Sequence, residues 1–312
     1  MIRRKPALAA GAAGAVMAGL LAAAVGQLSA HPAPARDKDP VSAVHRDRKP
    51  AAVRAAQPVV PAAFSHGACL ALAPTSGNRH QTVFLDAGHG GPDPGGVGVT
   101  EDGATVTEAP VNLRIELDTA ALLRARGYRV VASRTRQTTV VRLTPAMRSG
   151  KLLSAAGVHA DVTARDRCAN QGRASILIGI YMDAGYGGAG CLTDYDASRP
   201  FATQNRALAR LLQHDVLTAM NARGWDIPDG GVRTDTRMGS AITSADLAYR
   251  HLMLLGPAKA GYFSAPSRMP GALIEPLFLT DPFEASIAVS ARGQHVIAAG
   301  IAAAVGQYFS QP

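Results

Sequence analysis

Three residues whose side chains can ligate a cation or move a proton stand at the expected end of a strand or start of a helix. His89 stands in LDAGHGG, where the glycines let the backbone turn sharply after an apolar run and leave the imidazole accessible. Glu108 opens a helical pattern in TEAPVNL, and Glu275 closes an apolar run in GALIEPLFL. Each has a plainer reading when taken singly: a loop histidine, a carboxylate favoured by a helix dipole, and a buried carboxylate with a partner. Open α/β sheets bind ligands beyond the carboxyl ends of their strands. The shared placement of the three at such ends therefore marks a candidate site.

The elements that would position them follow from hydrophobic periodicity. Thr82–Leu85 is a short β-rich run that ends in the turn Gly88-His89-Gly90-Gly91. Leu113, Leu117, Ala120 and Ala121 recur at helical spacing, with Gly127 as a stop signal, and Tyr128–Ser133 reads as a second strand. Ile176–Tyr181 is a continuous apolar run, the pattern of a strand covered on both faces. Leu208, Leu212, Val216 and Met220 mark another helix. Leu252–Leu255 and Ala272–Ile274 are further strand candidates, and Ile297, Ile301, Val305 and Phe309 define a closing helix. Strands alternating with helices predict a single three-layer α/β domain over residues 80–312, with a mixed, largely parallel sheet and helices on both faces.

The chain ahead of that domain differs in kind. Met1–Lys5 is basic and Ala7–Val25 carries no charge, so residues 1–30 read as a signal peptide cleaved after Ala30, with an uncleaved membrane anchor as the alternative. Both place the body outside the cytoplasm, in the periplasm, the cell wall or the extracellular space. Residues 31–79 are rich in Pro, Ala and charge without a lasting period, and are expected to be a disordered tether. The net charge of +9 invites a nucleic-acid reading. Arg and Asp are interspersed, however, and aromatics at 5% give no stacking stripe, so an anionic cell envelope is the better partner. Three cysteines without a CxxC pair give no cysteine zinc site and fit an oxidising compartment with at most one intramolecular bridge. Cys168, ahead of the central strand, and Cys191, beyond the loop leaving it, are the expected pair, with Cys69 left over in the tether. No nucleophile-elbow pattern surrounds any Ser or Cys. His214 and His251 give no metal spacing and read as ordinary surface or core histidines.

VFLDAGHGGPDPGG, then Glu108 with Asn112-Leu113 after it, resembles the opening of the zinc-dependent N-acetylmuramoyl-L-alanine amidases. GYRVVASRTR resembles that family's second strand, and Arg165-Asp-Arg-Cys-Ala-Asn170 its Arg-x-x-x-Ala-Asn helix. ALIEPLFLTDP resembles the segment bearing its catalytic glutamate. The match spans most of Thr82 to Phe309 in order. It implies Zn²⁺ ligated by His89 and Glu108, Glu275 as general base, and hydrolysis of the amide joining N-acetylmuramic acid to L-alanine of the stem peptide. Peptidoglycan and muropeptides would be the partners; the resemblance names no protein activator. One position departs from the family: Tyr181 stands where it carries its third zinc-binding histidine. The phenolate of Tyr181, an oxygen of Asp183 on the same strand face, or His159 would have to complete the site. The alternative is a catalytically degenerate domain, in which Tyr181 packs or hydrogen-bonds and the protein binds peptidoglycan or regulates a cell-wall enzyme.

Overall fold

The computed structural model describes residues 56–58, 63–185, 187–237 and 243–311. The expected signal peptide or anchor of residues 1–30 lies outside them, as does most of the tether. In chain order the elements are β1 (Ala56–Pro58), β2 (Ala68–Leu72), β3 (Thr82–Ala87), β4 (Val97–Val99), β5 (Thr105–Thr107), α1 (Glu108–Ala125) and β6 (Arg129–Arg134). There follow β7 (Arg148–Ser149), β8 (Leu152–Leu153), α2 (Ala155–Gln171), β9 (Ile176–Ile180), β10 (Cys191–Tyr195), α3 (Ala202–Asn221) and β11 (Asp229–Thr234). The chain closes with α4 (Ser244–Tyr249), β12 (Gly271–Glu275), α5 (Pro282–Val289) and α6 (Ala291–Tyr308).

Eight strands form one sheet in the order β1-β2-β6-β3-β9-β12-β10-β11, while β4–β5 and β7–β8 are small hairpins. The central four, β6, β3, β9 and β12, run parallel. β2 joins β6, and β10 joins β12, in the opposite sense. The central strands are apolar throughout because both faces are covered, and alternate residues serve two different cores. Val83, Leu85, Ile176, Ile178, Ile180 and Ile274 enter the core beneath α1, α3 and α6. Phe84, Leu177, Tyr181 and Leu273 enter the other, with α2 and α4. The expected three-layer α/β domain with a mixed, largely parallel sheet is what the chain forms.

Three expectations change. The tether was to reach residue 79, but β2 lies inside the sheet, antiparallel to β6, with Ala68, Cys69 and Leu72 buried. Its five residues, ACLAL, are too few to break the surrounding Pro/Ala composition into a visible period. Leu252–Leu255 is a buried turn, not a strand. Cys168 bonds Cys69 rather than Cys191, with a Cα–Cα distance of 5.6 Å. The reason is the sheet itself: Cys69 and Cys168 belong to the core on the α2 side, and Cys191 to the core on the α3 side. Cys191 remains a buried thiol, its Sγ 3.7 Å from Gln213 Oε1.

One buried carboxyl on α1 makes stability depend on pH. Glu116 accepts the Ser133 amide at 2.7 Å and is fully buried, and burial pushes its pKa up to about 8, aided by Asp86 and opposed by Arg134. The folded state thus holds this proton more tightly than the unfolded chain does. The resulting stabilisation is complete below the unfolded carboxyl's ordinary range and is lost as pH rises through about 8. Glu116→Gln is therefore expected to be more resistant to urea than the wild type at pH 9, with the difference shrinking towards pH 5. Unfolding curves at both pH values check it; a difference that grows towards low pH has the wrong sign.

Candidate active site

Because β3, β9 and β12 are adjacent and parallel, their carboxyl ends share one edge, with Ala87 beside Ile180 and Ile180 beside Ile274. Gly88 and His89 follow β3, Tyr181 follows β9, and Glu275 is the last residue of β12. The hairpin β4–β5 then returns the chain to that edge, where Glu108 begins α1. His89 sits at φ +59°, a left-handed conformation that a non-glycine residue adopts only when its surroundings hold it. Arg165 supplies part of that hold through a 2.7 Å bond from Nη2 to the His89 carbonyl.

His89 Nε2 lies 3.1 Å from Glu108 Oε2, and His89 Nδ1 lies 2.9 Å from Asp93 Oδ2. Glu108 is held by the Gly96 amide at 2.8 Å, the Met182 amide at 2.9 Å and Asn112 Nδ2 at 2.9 Å. A Cβ on Gly95 would fall 2.6 Å from Glu108 Oε2 and 2.7 Å from His89 Cδ2, so only glycine lets the loop pass this close. Burial works against a charged His89, but Glu108 and Asp93 outweigh it and raise the imidazole to about 10. Burial likewise opposes the charge on Glu108, yet His89 and the two amides hold its carboxyl below the usual range.

Tyr181 is near but turned elsewhere. Its ring meets that of His89 edge-on at 5.5 Å, while its hydroxyl donates to Asp86 Oδ2 at 3.1 Å. Asp86 Oδ1 in turn accepts from Arg165 Nη1 at 2.7 Å, and Arg165 also holds Asp161 and the Ala87 carbonyl. Burial, and then the Asp86 charge, push the Tyr181 phenol well above its usual range, which disfavours a phenolate ligand. A Cβ at Gly88 would strike the Tyr181 ring at 2.3 Å, so Gly88 and Tyr181 fit as a pair. Asp183 lies beyond the end of β9, which stops at Ile180, and its Oδ1 accepts the amides of Ala184 at 2.6 Å and Gly185 at 3.0 Å. His159 Nε2 bonds the Tyr262 carbonyl at 2.8 Å and does not reach the site.

Glu275 is buried at the same sheet edge. Burial first, then the charges of Asp183, Asp194 and Glu108, raise its carboxyl well above the usual range. The structure thus brings His89, Glu108, Tyr181, Asp183 and Glu275 to one end of the sheet. Sequence reasoning passed over Asp93, Asp86 and Thr243, the last of which lines a small pocket with His89, Asp93, Arg165 and Tyr181. Asp93 lay within the quoted GGPDPGG, so its signal was present; nothing in sequence marks Thr243.

The donor set fits a divalent cation at two of its positions. An imidazole nitrogen and a carboxylate oxygen each about 2.0–2.1 Å from zinc in tetrahedral geometry stand about 3.3 Å apart, close to the 3.1 Å found between His89 and Glu108. A carboxylate behind the other imidazole nitrogen, the place of Asp93, is the usual support of a metal-bound histidine. Tyr181 adds no ligand in this arrangement, since its hydroxyl is turned to Asp86, to which it donates a hydrogen bond.

Known proteins share this framework. Solved structures with the same fold include the N-acetylmuramoyl-L-alanine amidase AmiC2 of Nostoc punctiforme, 20% identical, with a TM-score of 0.52 over 75% of this chain and 100% of that one. The CwlD amidase from Clostridioides difficile, solved in complex with the GerS lipoprotein, is 20% identical, with a TM-score of 0.54 over 74% and 98%. The amidase Ami1 from Mycobacterium smegmatis is 19% identical, with a TM-score of 0.51 over 76% and 100%. No curated protein matches the chain by sequence. The family model described as N-acetylmuramoyl-L-alanine amidase matches residues 83–307, from β3 to the last turn of α6, and the chain belongs to that family.

Proposed function

We propose that the protein is an exported peptidoglycan hydrolase that cleaves the amide between N-acetylmuramic acid and L-alanine of the stem peptide. The observation that carries this reading is the 3.1 Å approach of His89 Nε2 to Glu108 Oε2, with Asp93 behind the imidazole. These two residues would hold Zn²⁺, which when bound polarises a carbonyl and acidifies water. Asp93 fixes the direction of Nε2, and the Gly96 and Met182 amides fix Glu108. Glu275, buried at the same sheet edge, would take a proton from the attacking water and return it to the leaving amine. The basic residues and uncharged stretch at the amino terminus support export to the wall.

A second reading has its own observation. With Tyr181 bonded to Asp86, the domain has the shape of an amidase but offers the ion one protein donor fewer. It would then bind peptidoglycan, or regulate a wall enzyme, without cutting. Tyr181→His separates the two when zinc affinity and muropeptide digestion are measured together. In the enzyme reading the unaltered protein binds zinc and digests muropeptide, and the substitution adds little. If only Tyr181→His binds zinc and digests, the enzyme reading is wrong and the binding reading replaces it.

A further inference from the structure

A second cluster of ligating side chains lies away from the amidase site. β10 runs antiparallel to β12, with Leu192 beside Glu275 and Asp194 beside Leu273. Asp196, just past β10, is therefore at the far end of the sheet from Glu275. Asp235 follows the neighbouring parallel strand β11, and His251 follows α4. His251 Nδ1 lies 3.0 Å from Asp235 Oδ2 and 3.3 Å from Asp196 Oδ2, and one ligand atom from each of the three residues falls within 4.8 Å of the others.

We propose that Asp196, Asp235 and His251 form a second cation site, suited to zinc or a similar divalent transition ion and independent of His89 and Glu108. The spacings of 3.0 and 3.3 Å match the roughly 3.3 Å edge of a tetrahedron around an ion bound at about 2.0–2.1 Å. A separate observation points to a missing partner. Asp235 is 1% exposed, its Oδ2 faces His251, the Leu252 amide lies beside its carboxylate, and its Oδ1 has no hydrogen-bond partner among the described residues. Buried oxygens in that condition are rare and call for an ion or a donor.

Charge argues the same way. Asp196 and Asp235 are both buried, and among the described residues His251, neutral in its ligand form, bridges them. The guanidinium of Arg199 acts on both carboxylates through its charge, but its hydrogen bonds go to the Leu255 carbonyl and to Ser267 rather than to either of them. Asp196 is already aimed: its Oδ1 accepts the Ser198 and Arg199 amides at 2.9 and 2.8 Å, and its Oδ2, which also accepts the Ser198 hydroxyl at 3.1 Å, faces His251. Such outer hydrogen bonds are the support a metal ligand needs. The side chain of His251, 22% exposed, is the side from which an ion would enter. An imidazole and two carboxylates favour zinc-like ions over the harder calcium and magnesium, which take oxygen alone.

The site has a structural consequence. Asp235 and His251 stand on either side of α4, and Thr243, the residue capping α4, lines the pocket that contains His89 and Tyr181. An ion shared by Asp235, His251 and Asp196 ties the base of that segment to the ends of β10 and β11.

Equilibrium dialysis of the full chain against Zn²⁺ tests the proposal without reading activity. His89→Ala, which removes a donor of the amidase site, is expected to retain one equivalent of zinc. Adding Asp235→Asn, or separately the part-exposed His251→Gln, should weaken that binding by at least about tenfold and abolish the zinc-induced rise in Tm. Circular dichroism confirms that each variant is folded. If His89→Ala binds no zinc, or if both second substitutions leave its binding unchanged, the cluster is an ion pair bridged by imidazolium and the proposal fails. Failure of the amidase reading shows differently: the unaltered protein would then bind a single equivalent, removed by Asp235→Asn and untouched by His89→Ala.

Discussion

Glu275→Gln is expected to lower muropeptide turnover by about 10²–10⁴-fold, the usual contribution of a positioned acid–base group, while leaving zinc content as it was. The carboxyl is buried at the end of β12, and Asp183, Asp194 and Glu108 all disfavour its ionised form. As general base it has to take a proton from the attacking water. Gln has nearly the same shape and cannot take up that proton, so the loss should appear in kcat with little change in KM. Steady-state kinetics with metal analysis on the same sample measures both. A Glu275→Gln enzyme with unaltered kcat would remove Glu275 from the chemistry.

Arg165→Met should cost about 3–5 kcal/mol of stability, the usual penalty for breaking a buried ion pair from one side. Arg165 is 1% exposed and binds two buried carboxylates, Asp86 at 2.7 Å and Asp161 at 2.8 Å. Met fills much of the volume but leaves both carboxylates without their cation. Asp161 would keep its bonds from the Val140 and Val141 amides, and Asp86 its bond from Tyr181. The same arginine holds the carbonyls of Ala87 and His89, so zinc affinity should fall along with stability. Urea unfolding monitored by circular dichroism gives the first quantity and dialysis the second. A change below about 1 kcal/mol would mean that the guanidinium does not carry the network.

Local patterns revealed the centre of the molecule well and its edges poorly. β3, β9 and β12 are short apolar runs, the first followed by glycine and the last ending in a glutamate, so the ends of these two, and with them His89 and Glu275, could be located from sequence. Glu108 was legible because an acidic residue opened a helical repeat. The partners of these residues were not, because Asp86 is indistinguishable from any other residue of a strand until Arg165 and Tyr181 meet it across the sheet. β2 hid in a stretch of tether-like composition, and its partner β6 is far along the chain. β10 carries the buried Asp194, and β11 contains Gly230 and Gly231, so neither shows a strand's alternation. The Cys168–Cys191 pairing failed because chain order does not tell which face of the sheet a thiol enters. His251 passed for an ordinary histidine for a related reason: Asp196 and Asp235 reach it only through the parallel pairing of β10 with β11.

The central claim is the bond that is cut, and mass spectrometry of a peptidoglycan digest tests it most directly. Incubation of purified protein and Zn²⁺ with isolated sacculi should release stem peptides bearing a free amino group on L-alanine, and leave glycan strands whose N-acetylmuramic acid carries a free lactyl carboxylate. Both products should disappear with His89→Ala. Intact sacculi, or fragments cut within the glycan or between amino acids of the stem, would contradict the account.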